Sequence, residues 1–293
     1  MYLCSTPWAS SKELLEDYML QTPKLDGIWN DIEGSDEISG SDYAVVFDSD
    51  PFSESIAFPP GKKIYMSREA LDAKSIKGFP QSEFIHFSFW NGTGYNPVKW
   101  AYPNSPVAGT GYSGLGLNYQ EVLELRQSPK KKLIASTLSA KKMTRGHRLR
   151  LRFAKKFMKA LPELDVFGQA PFANKALIDN SKAKTLSDYA FQLTFDNQCH
   201  LQDFIGTQFT DSLLLWSKPL FWGSKDVFKY YPPGSFTWFD VEKPKLEIPR
   251  LIEIITHENY ADSLPFIAEA REKILNTYNF WPTLQKIIDA RRD

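Results

Sequence analysis

Alternation of large hydrophobic residues with small or polar ones predicts a strand over Tyr189–Phe195, followed by a polar loop over Asp196–Asp203. The next hydrophobic run, Phe209–Trp216, predicts a short helix, and Pro219–Gly223 predicts a second buried strand that ends at its glycine. Strand, loop, helix and strand form a βαβ unit, in which ligands bind where the loop leaves the carboxyl end of the first strand. The polar loop is therefore the first candidate for a binding site.

The region before this unit predicts two more strands and an amphipathic helix. Residues 132–137 and 164–168 are hydrophobic segments of strand length. Between them, large hydrophobic residues recur every four positions from Leu149 to Leu161, which predicts the buried face of a helix. This helix begins near residues 145–147, where unpaired backbone N–H groups and the helix dipole favour an anion.

The same helix lies in the most basic part of the chain. Lys130 to Lys159 include twelve Lys or Arg residues and no Asp or Glu. Such a block is commonly a solvated helix face, but the guanidinium group of an arginine can also hold diphosphate oxygens with two bonds. No aromatic stacking platform accompanies these charges, so the pattern argues against nucleic acid as the partner.

The N-terminal half predicts a smaller α/β domain. A short helix is predicted over residues 11–20, and strands are predicted over 42–48, 63–67 and 84–90. Strands that alternate with helical or loop segments, and that each end in polar residues, are typical of this class.

Two further patterns match motifs without their usual context. Asp48-Ser49-Asp50 fits a D-x-D metal motif, but acidic residues after a strand are common turn formers and Pro51 follows at once. The glycines at 109, 111 and 114 fit a dinucleotide fingerprint, but the segment before them is broken by prolines. We therefore predict no metal site and no dinucleotide fold here.

Composition and length set the remaining limits. The 293 residues are enough for two domains, and 42% hydrophobic with 24% charged residues is typical of a globular protein. The net charge is zero, the two cysteines show no metal-ligand spacing, and no apolar run reaches 18 residues. These features predict a cytoplasmic protein and leave room for peripheral attachment to a membrane.

Several motifs in the C-terminal half, in the same order, resemble the C-terminal signature of the fucosyltransferases of glycosyltransferase family 10. They are YAFQLTFDN, DFIGTQ, FTDSLLLWSKPLFWGS and YYPPGSFTWFD. The resemblance covers roughly residues 130 to 290. It implies an α/β fold of the GT-B type, with two Rossmann-type domains that face each other across a cleft.

The expected domains follow from that resemblance. Residues 1–128 would form an acceptor-side α/β domain, and 129–262 a nucleotide-sugar-binding α/β domain. Residues 263–293 would form C-terminal helices that pack back on both domains. Pro249 is predicted to open a helix over 250–256.

The resemblance also implies the reaction and its participants. An inverting glycosyltransferase would move fucose or a related sugar from a nucleotide diphosphate, GDP-linked in the family, to a hydroxyl of a glycan acceptor. Glu69, after the strand that ends in KIYMS, would be the catalytic base, although a surface glutamate paired with Arg68 or Lys62 is the alternative. No cofactor or metal is required if Arg and backbone N–H groups neutralise the diphosphate.

The resemblance assigns the donor site to two segments. Arg150 is the arginine of the family's G-H-x-x-R element, with Arg148 as reserve, and Asp196 and Asn197 stand in its F-[E/D]-N element. Asn197 would hydrogen-bond the donor; a residue that caps the strand end is the alternative.

The sequence departs from the family at one donor motif. The family's T-E-K falls on Gly206-Thr207-Gln208, which keeps hydrogen-bonding groups but no charge, and Phe204 replaces a tyrosine of some members. Losing a charge-assisted contact costs on the order of 1.5–3 kcal/mol. Either other basic residues compensate, the donor differs, or the protein is a catalytically inactive relative that binds sugar nucleotides or glycans.

Overall fold

The computed structural model of this chain describes residues 1–6, 9–47, 53–66, 84, 86–88, 115–197, 199 and 204–290. The chain divides into two compact units. The first contains the described residues within Met1–Ala101, Asn118–Glu121 and Leu275–Asp293, and the second those within Tyr102–Leu117 and Val122–Ile274. Among the described residues, no helix is both long and apolar enough to cross a membrane.

The described helices and strands, in chain order, are β1 Tyr2–Leu3, α1 Ser11–Met19, β2 Ile28–Trp29, β3 Ile32–Glu33, β4 Ala44–Phe47, β5 Lys63–Met66, β6 His86–Ser88, α2 Tyr119–Glu124, β7 Lys132–Leu138, α3 Arg145–Ala160, β8 Leu164–Gly168, α4 Lys182–Leu186, β9 Tyr189–Phe195, α5 Thr207–Leu214, β10 Lys218–Trp222, α6 Val227–Tyr230, β11 Thr237–Trp238, α7 Pro244–His257, α8 Leu264–Asn276 and α9 Phe280–Asp289.

The first unit contains a parallel sheet of order β1-β4-β5-β6. Strand β4 is buried along its whole length, as expected for a central parallel strand. Helix α1 begins at a capping box between Ser10 and Glu13, and α9 joins its core. Trp281 of α9 donates from Nε1 to the Tyr18 carbonyl at 2.8 Å, so the end of the described chain belongs to the N-terminal unit.

The second unit contains a five-stranded parallel sheet of order β11-β10-β9-β7-β8. Numbered within the unit, the order is 2-1-3-4-5, so the chain winds one way from β7 to β8 and the other way from β9 onwards. The loops after β7 and β9 therefore leave the sheet at its topological switch point, where doubly wound sheets bind ligands.

Polar groups as well as apolar ones are buried in this unit. All seven residues of β9 are buried, and Gln192 at its centre bonds the hydroxyls of Ser212 and Ser217 at 3.1 Å each. Lys182 of α4 donates to Asp211 of α5 at 2.9 Å in a buried ion pair. These contacts give buried polar side chains hydrogen-bond partners, and they fix α5 against the sheet.

The predicted fold class, α/β of the GT-B type, is confirmed, and strands β7 to β10 of the second unit each lie within a residue or two of their predictions. Two helix starts differ from prediction. Helix α5 begins at Thr207 rather than Phe209, which places Thr207 and Gln208 in its first turn. Helix α7 begins at Pro244, because the first position of a helix needs no backbone N–H donor. Pro249 therefore lies inside the helix and does not open it. The predicted boundaries at 128 and 262 stay predictions.

Candidate functional site

The candidate site is formed by the loops that follow β7 and β9 at the switch point. Arg150 of α3 donates from one nitrogen to Asn197 Oδ1 at 2.9 Å and from another to Ser139 Oγ at 2.7 Å. Asn197 follows β9, and Ser139 follows β7. The structure thus brings together the arginine and the asparagine that were predicted from separate segments. The Arg150 side chain is 4% exposed, so its orientation is fixed by packing.

Helix α3 is capped in a way that fixes its start. The His147 N–H donates to the Thr144 hydroxyl at 3.2 Å, and the Thr144 N–H donates to His147 Nδ1 at 3.3 Å. This is a capping box with histidine at its third position. Burial, together with the positive charges of Arg150, Lys141 and Arg148, lowers the pKa of His147 to about 4. The imidazole is therefore neutral near pH 7, which leaves Nδ1 free of a proton and able to accept the hydrogen bond from the Thr144 N–H.

Gly146 allows the start of α3 to approach the loop after β9. A Cβ at this position would lie 1.7 Å from the Asn197 carbonyl oxygen and 3.3 Å from the Trp222 ring. No side chain fits in that space without moving backbone. The glycine thus sets the distance at which Arg150 meets Asn197.

Asp196 connects the end of β9 to the start of α5. Its Oδ1 accepts a hydrogen bond from the Gly206 N–H at 3.0 Å. A Cβ at Gly206 would lie 2.1 Å from Oδ1, and one at Gly223 would lie 2.4 Å from Oδ2, so two glycines make room for this carboxyl group. Asp196 is 4% exposed, and Oδ2 has no hydrogen-bond partner among the described residues. Burial raises the pKa of Asp196 well above its ordinary value, with the charge of Arg150 opposing the shift.

Helix α5 begins beside this carboxyl group with an exposed residue. Gly206 is its N-cap, no described side chain caps it, and Thr207 is exposed. The side chain of Gln208 donates to the Thr137 carbonyl of β7 at 3.0 Å. Gln208 therefore ties the helix to the sheet, whereas the start of α5 keeps the N–H groups and dipole that favour an anion.

The other predicted site residues lie at different places. Arg148 is exposed and donates to the Lys142 carbonyl at 2.9 Å, so it braces the loop before α3. Phe204 is half-buried just before α5. Glu69 lies outside the described residues, as do the D-x-D segment at 48–50 and the glycines at 109–114. Among the described residues, no group of three or more His, Cys, Asp or Glu could hold a metal ion.

Three residues that support the site are not predicted from the sequence to do so: Ser139, Trp222 and Gly223. The sequence predicts Gly223 only as the end of a strand. One signal in the sequence could have identified the close approach of Gly223 to Asp196. Gly223 follows one parallel strand, and Asp196 follows the strand beside it. Strand pairing places Trp222 opposite Phe195, so Gly223 lies beside Asp196.

We expect Gly146→Ala to destabilise the protein, although alanine has the higher helix propensity by up to about 1 kcal/mol. The added methyl group would collide with the Asn197 carbonyl, and overpacking of this kind costs about 1–3 kcal/mol. Urea unfolding measures the change. Lys159→Ala, at an exposed position of the same helix, is the control. A Gly146→Ala variant as stable as wild type would contradict the close approach.

We expect His147→Gln to make stability less dependent on pH between about 6.5 and 4. The lowered pKa means that folded protein binds fewer protons than unfolded protein, so wild type loses this contribution as pH falls through that window. Glutamine preserves the capping box without titrating. Unfolding midpoints at pH 7 and pH 4 should differ more for wild type than for the variant. Equal differences would show that His147 is not the titrating group.

The part of the chain that contains the candidate site matches a known protein family. A family model described as glycosyltransferase family 10 (fucosyltransferase) C-term matches residues 127–249, which include α3, β9, α5 and the site. A sequence comparison with curated proteins finds no match.

Solved structures of an alpha1,3-fucosyltransferase share the fold. One has a TM-score of 0.57 at 16% identity, and another, with GDP-fucose, has 0.52 at 14%; each match covers 99% of this chain and 88% of the other. The family resemblance predicted from the sequence is confirmed. Over residues 127–249 the chain is similar to the C-terminal domain of glycosyltransferase family 10, and its fold is similar to that of the alpha1,3-fucosyltransferase structures.

Proposed function

We propose that this protein transfers fucose or a related sugar from a nucleotide diphosphate, GDP-linked by analogy with the family, to a hydroxyl of a glycan acceptor, with inversion. The observation that carries the proposal is the hydrogen bond from Arg150 to Asn197 at the switch point of the second sheet. One residue supplies positive charge and the other an amide, at the place where doubly wound sheets bind nucleotides.

The diphosphate would lie between Arg150 and the start of α5. The Arg150 side chain donates to Asn197 Oδ1 and Ser139 Oγ, and these bonds hold its guanidinium group at the switch point. The start of α5 adds backbone N–H groups, and the hydrogen bond from Gly206 to Asp196 holds it in place. A guanidinium group and a helix start can stabilise a departing diphosphate without a metal ion.

The transfer step needs a base on the acceptor side. In an inverting reaction a carboxylate takes the proton of the acceptor hydroxyl, whose oxygen bonds the anomeric carbon as the bond to the diphosphate breaks. We assign that base to Glu69, on the strength of the segment that follows β5. The products are the glycosylated acceptor, a nucleoside diphosphate and one proton.

A second candidate function is binding of sugar nucleotides or glycans without catalysis. The observation that favours it is the orientation of Gln208, which stands where the family has the lysine of T-E-K. Its side chain donates to the Thr137 carbonyl and thus serves the fold. Under this alternative, the donor site binds its ligand more weakly and transfers nothing.

Arg150→Ala should weaken the binding of GDP and GDP-fucose by about 10- to 150-fold, because a charge-assisted contact is worth about 1.5–3 kcal/mol. Titration calorimetry measures this. Arg148→Ala is the matched control, since Arg148 is exposed and bonds a backbone carbonyl. The proposal fails if wild type binds neither ligand, or if the two variants bind them equally well.

Glu69→Gln should abolish transfer while GDP-fucose binding stays within about twofold of wild type, because the amide cannot accept the proton. Release of GDP in the presence of a panel of oligosaccharides measures turnover. An unchanged rate would refute the assignment of the base. Wild-type protein that binds GDP-fucose but transfers to no acceptor would support the non-catalytic alternative.

A further inference from the structure

A continuous line of positive charge follows the outer side of α3. Six exposed residues recur at helical spacing and share one side of the helix, within about 100° of its circumference and over a length of about 21 Å. We call this set the basic face: Arg145, Arg148, Arg152, Lys155, Lys156 and Lys159. The opposite side of α3 carries Phe153 and Phe157 into the core of the second unit.

The charge of the basic face is largely uncompensated by its surroundings. Arg145 pairs with Glu242. Within the part of the chain that the structure describes, Arg152, Lys155, Lys156 and Lys159 form no ion pair.

The sequence as a whole balances this charge elsewhere. Residues outside 130–159 include 23 Lys or Arg against 35 Asp or Glu, whereas the segment 130–159 includes twelve Lys or Arg and no acid. The net charge of zero gives the chain no overall attraction to an anionic surface. The concentrated positive charge can still turn this side of the protein toward such a surface.

Two exposed apolar side chains accompany the start of the basic face. Met143, just before α3, is 79% exposed, and Leu246, in the first turn of α7, is 64% exposed. The ion pair between Arg145 and Glu242 joins the starts of these two helices. Exposed lysines flank both apolar residues in the sequence: Lys141, Lys142, Lys243 and Lys245. Large apolar groups among lysines are typical of a surface that rests on lipid headgroups.

We propose that the basic face, with Met143 and Leu246, docks on the surface of an anionic phospholipid bilayer. The lysines and arginines would lie against the headgroups, and the two apolar side chains would enter the boundary with the acyl chains. A nucleic acid is disfavoured because the basic face contains no aromatic ring on which bases could stack. This inference goes beyond the proposed function, although both use α3. Arg150 lies on the buried side of the helix. Docking through the exposed side would therefore hold the donor site about one helix diameter from the membrane.

Vesicle co-sedimentation tests the proposal. We expect wild-type protein to bind vesicles of phosphatidylcholine with 30% phosphatidylglycerol, to ignore pure phosphatidylcholine, and to lose binding between 0.05 and 0.5 M salt. The triple variant Lys155→Gln/Lys156→Gln/Lys159→Gln should bind about 100-fold more weakly, at about fivefold per charge. Lys12→Gln/Lys24→Gln/Lys184→Gln, which removes as many exposed charges elsewhere, should bind like wild type.

A second variant tests the apolar contribution. Met143→Ser/Leu246→Ser should bind the mixed vesicles about tenfold more weakly while keeping the salt dependence of wild type. The proposal is overturned if wild type does not bind mixed vesicles, if the triple variant binds like its control, or if RNA binds the basic face and mixed vesicles do not.

The two functions can fail separately. None of the substituted residues is assigned to the donor site, so calorimetry with GDP should give the same affinity for the triple variant and for wild type. Loss of vesicle binding with unchanged GDP affinity would confirm that docking and donor binding use different sides of α3. A triple variant that also lost GDP affinity would show that the basic face belongs to the donor site, which would overturn its assignment to the membrane.

Discussion

The approach of α3 to the loop after β9 is the constraint on which the candidate site depends. Gly146 lets the helix backbone come against the Asn197 carbonyl, and at that distance Arg150 reaches Asn197 at 2.9 Å and Ser139 at 2.7 Å. The loops after two neighbouring strands are thereby joined through one buried guanidinium group. A charged side chain buried in this way needs firm partners, because desolvation costs it several kcal/mol.

A second set of contacts prepares the other side of the site. The carboxyl group of Asp196 fits between Gly206 and Gly223 and accepts the N–H that precedes α5. Gln208 and the buried pair of Lys182 with Asp211 hold the same helix to the sheet and to α4. The polar side chains of this region therefore serve mainly to place a helix start. The residues at this start, Gly206, Thr207 and Gln208, are all uncharged.

Helix α3 divides its basic residues between two tasks. Arg150 lies on the buried side and belongs to the candidate site, whereas the basic face lies on the exposed side and forms few ion pairs with described residues. Of the two interpretations of the basic segment, the solvated face describes the exposed residues, and the role of Arg150 in binding phosphate stays a prediction. Side-chain direction decides between them, since positions 148 and 150 differ by about 200° around a helix.

The sequence by itself determined the α/β class, four strands of the second unit and the resemblance to family 10. Buried strands and amphipathic helices leave periodic patterns, and the motifs of the resemblance occur in order. It also selected Arg150 and Asn197. Tertiary structure alone decided that these two residues bond each other, that Arg148 and Gln208 turn to backbone carbonyls, and that α9 joins the first unit. The physical reason is that such contacts depend on which strands are neighbours and on how closely backbones approach each other. A local pattern of hydrophobic and polar residues contains no information about either.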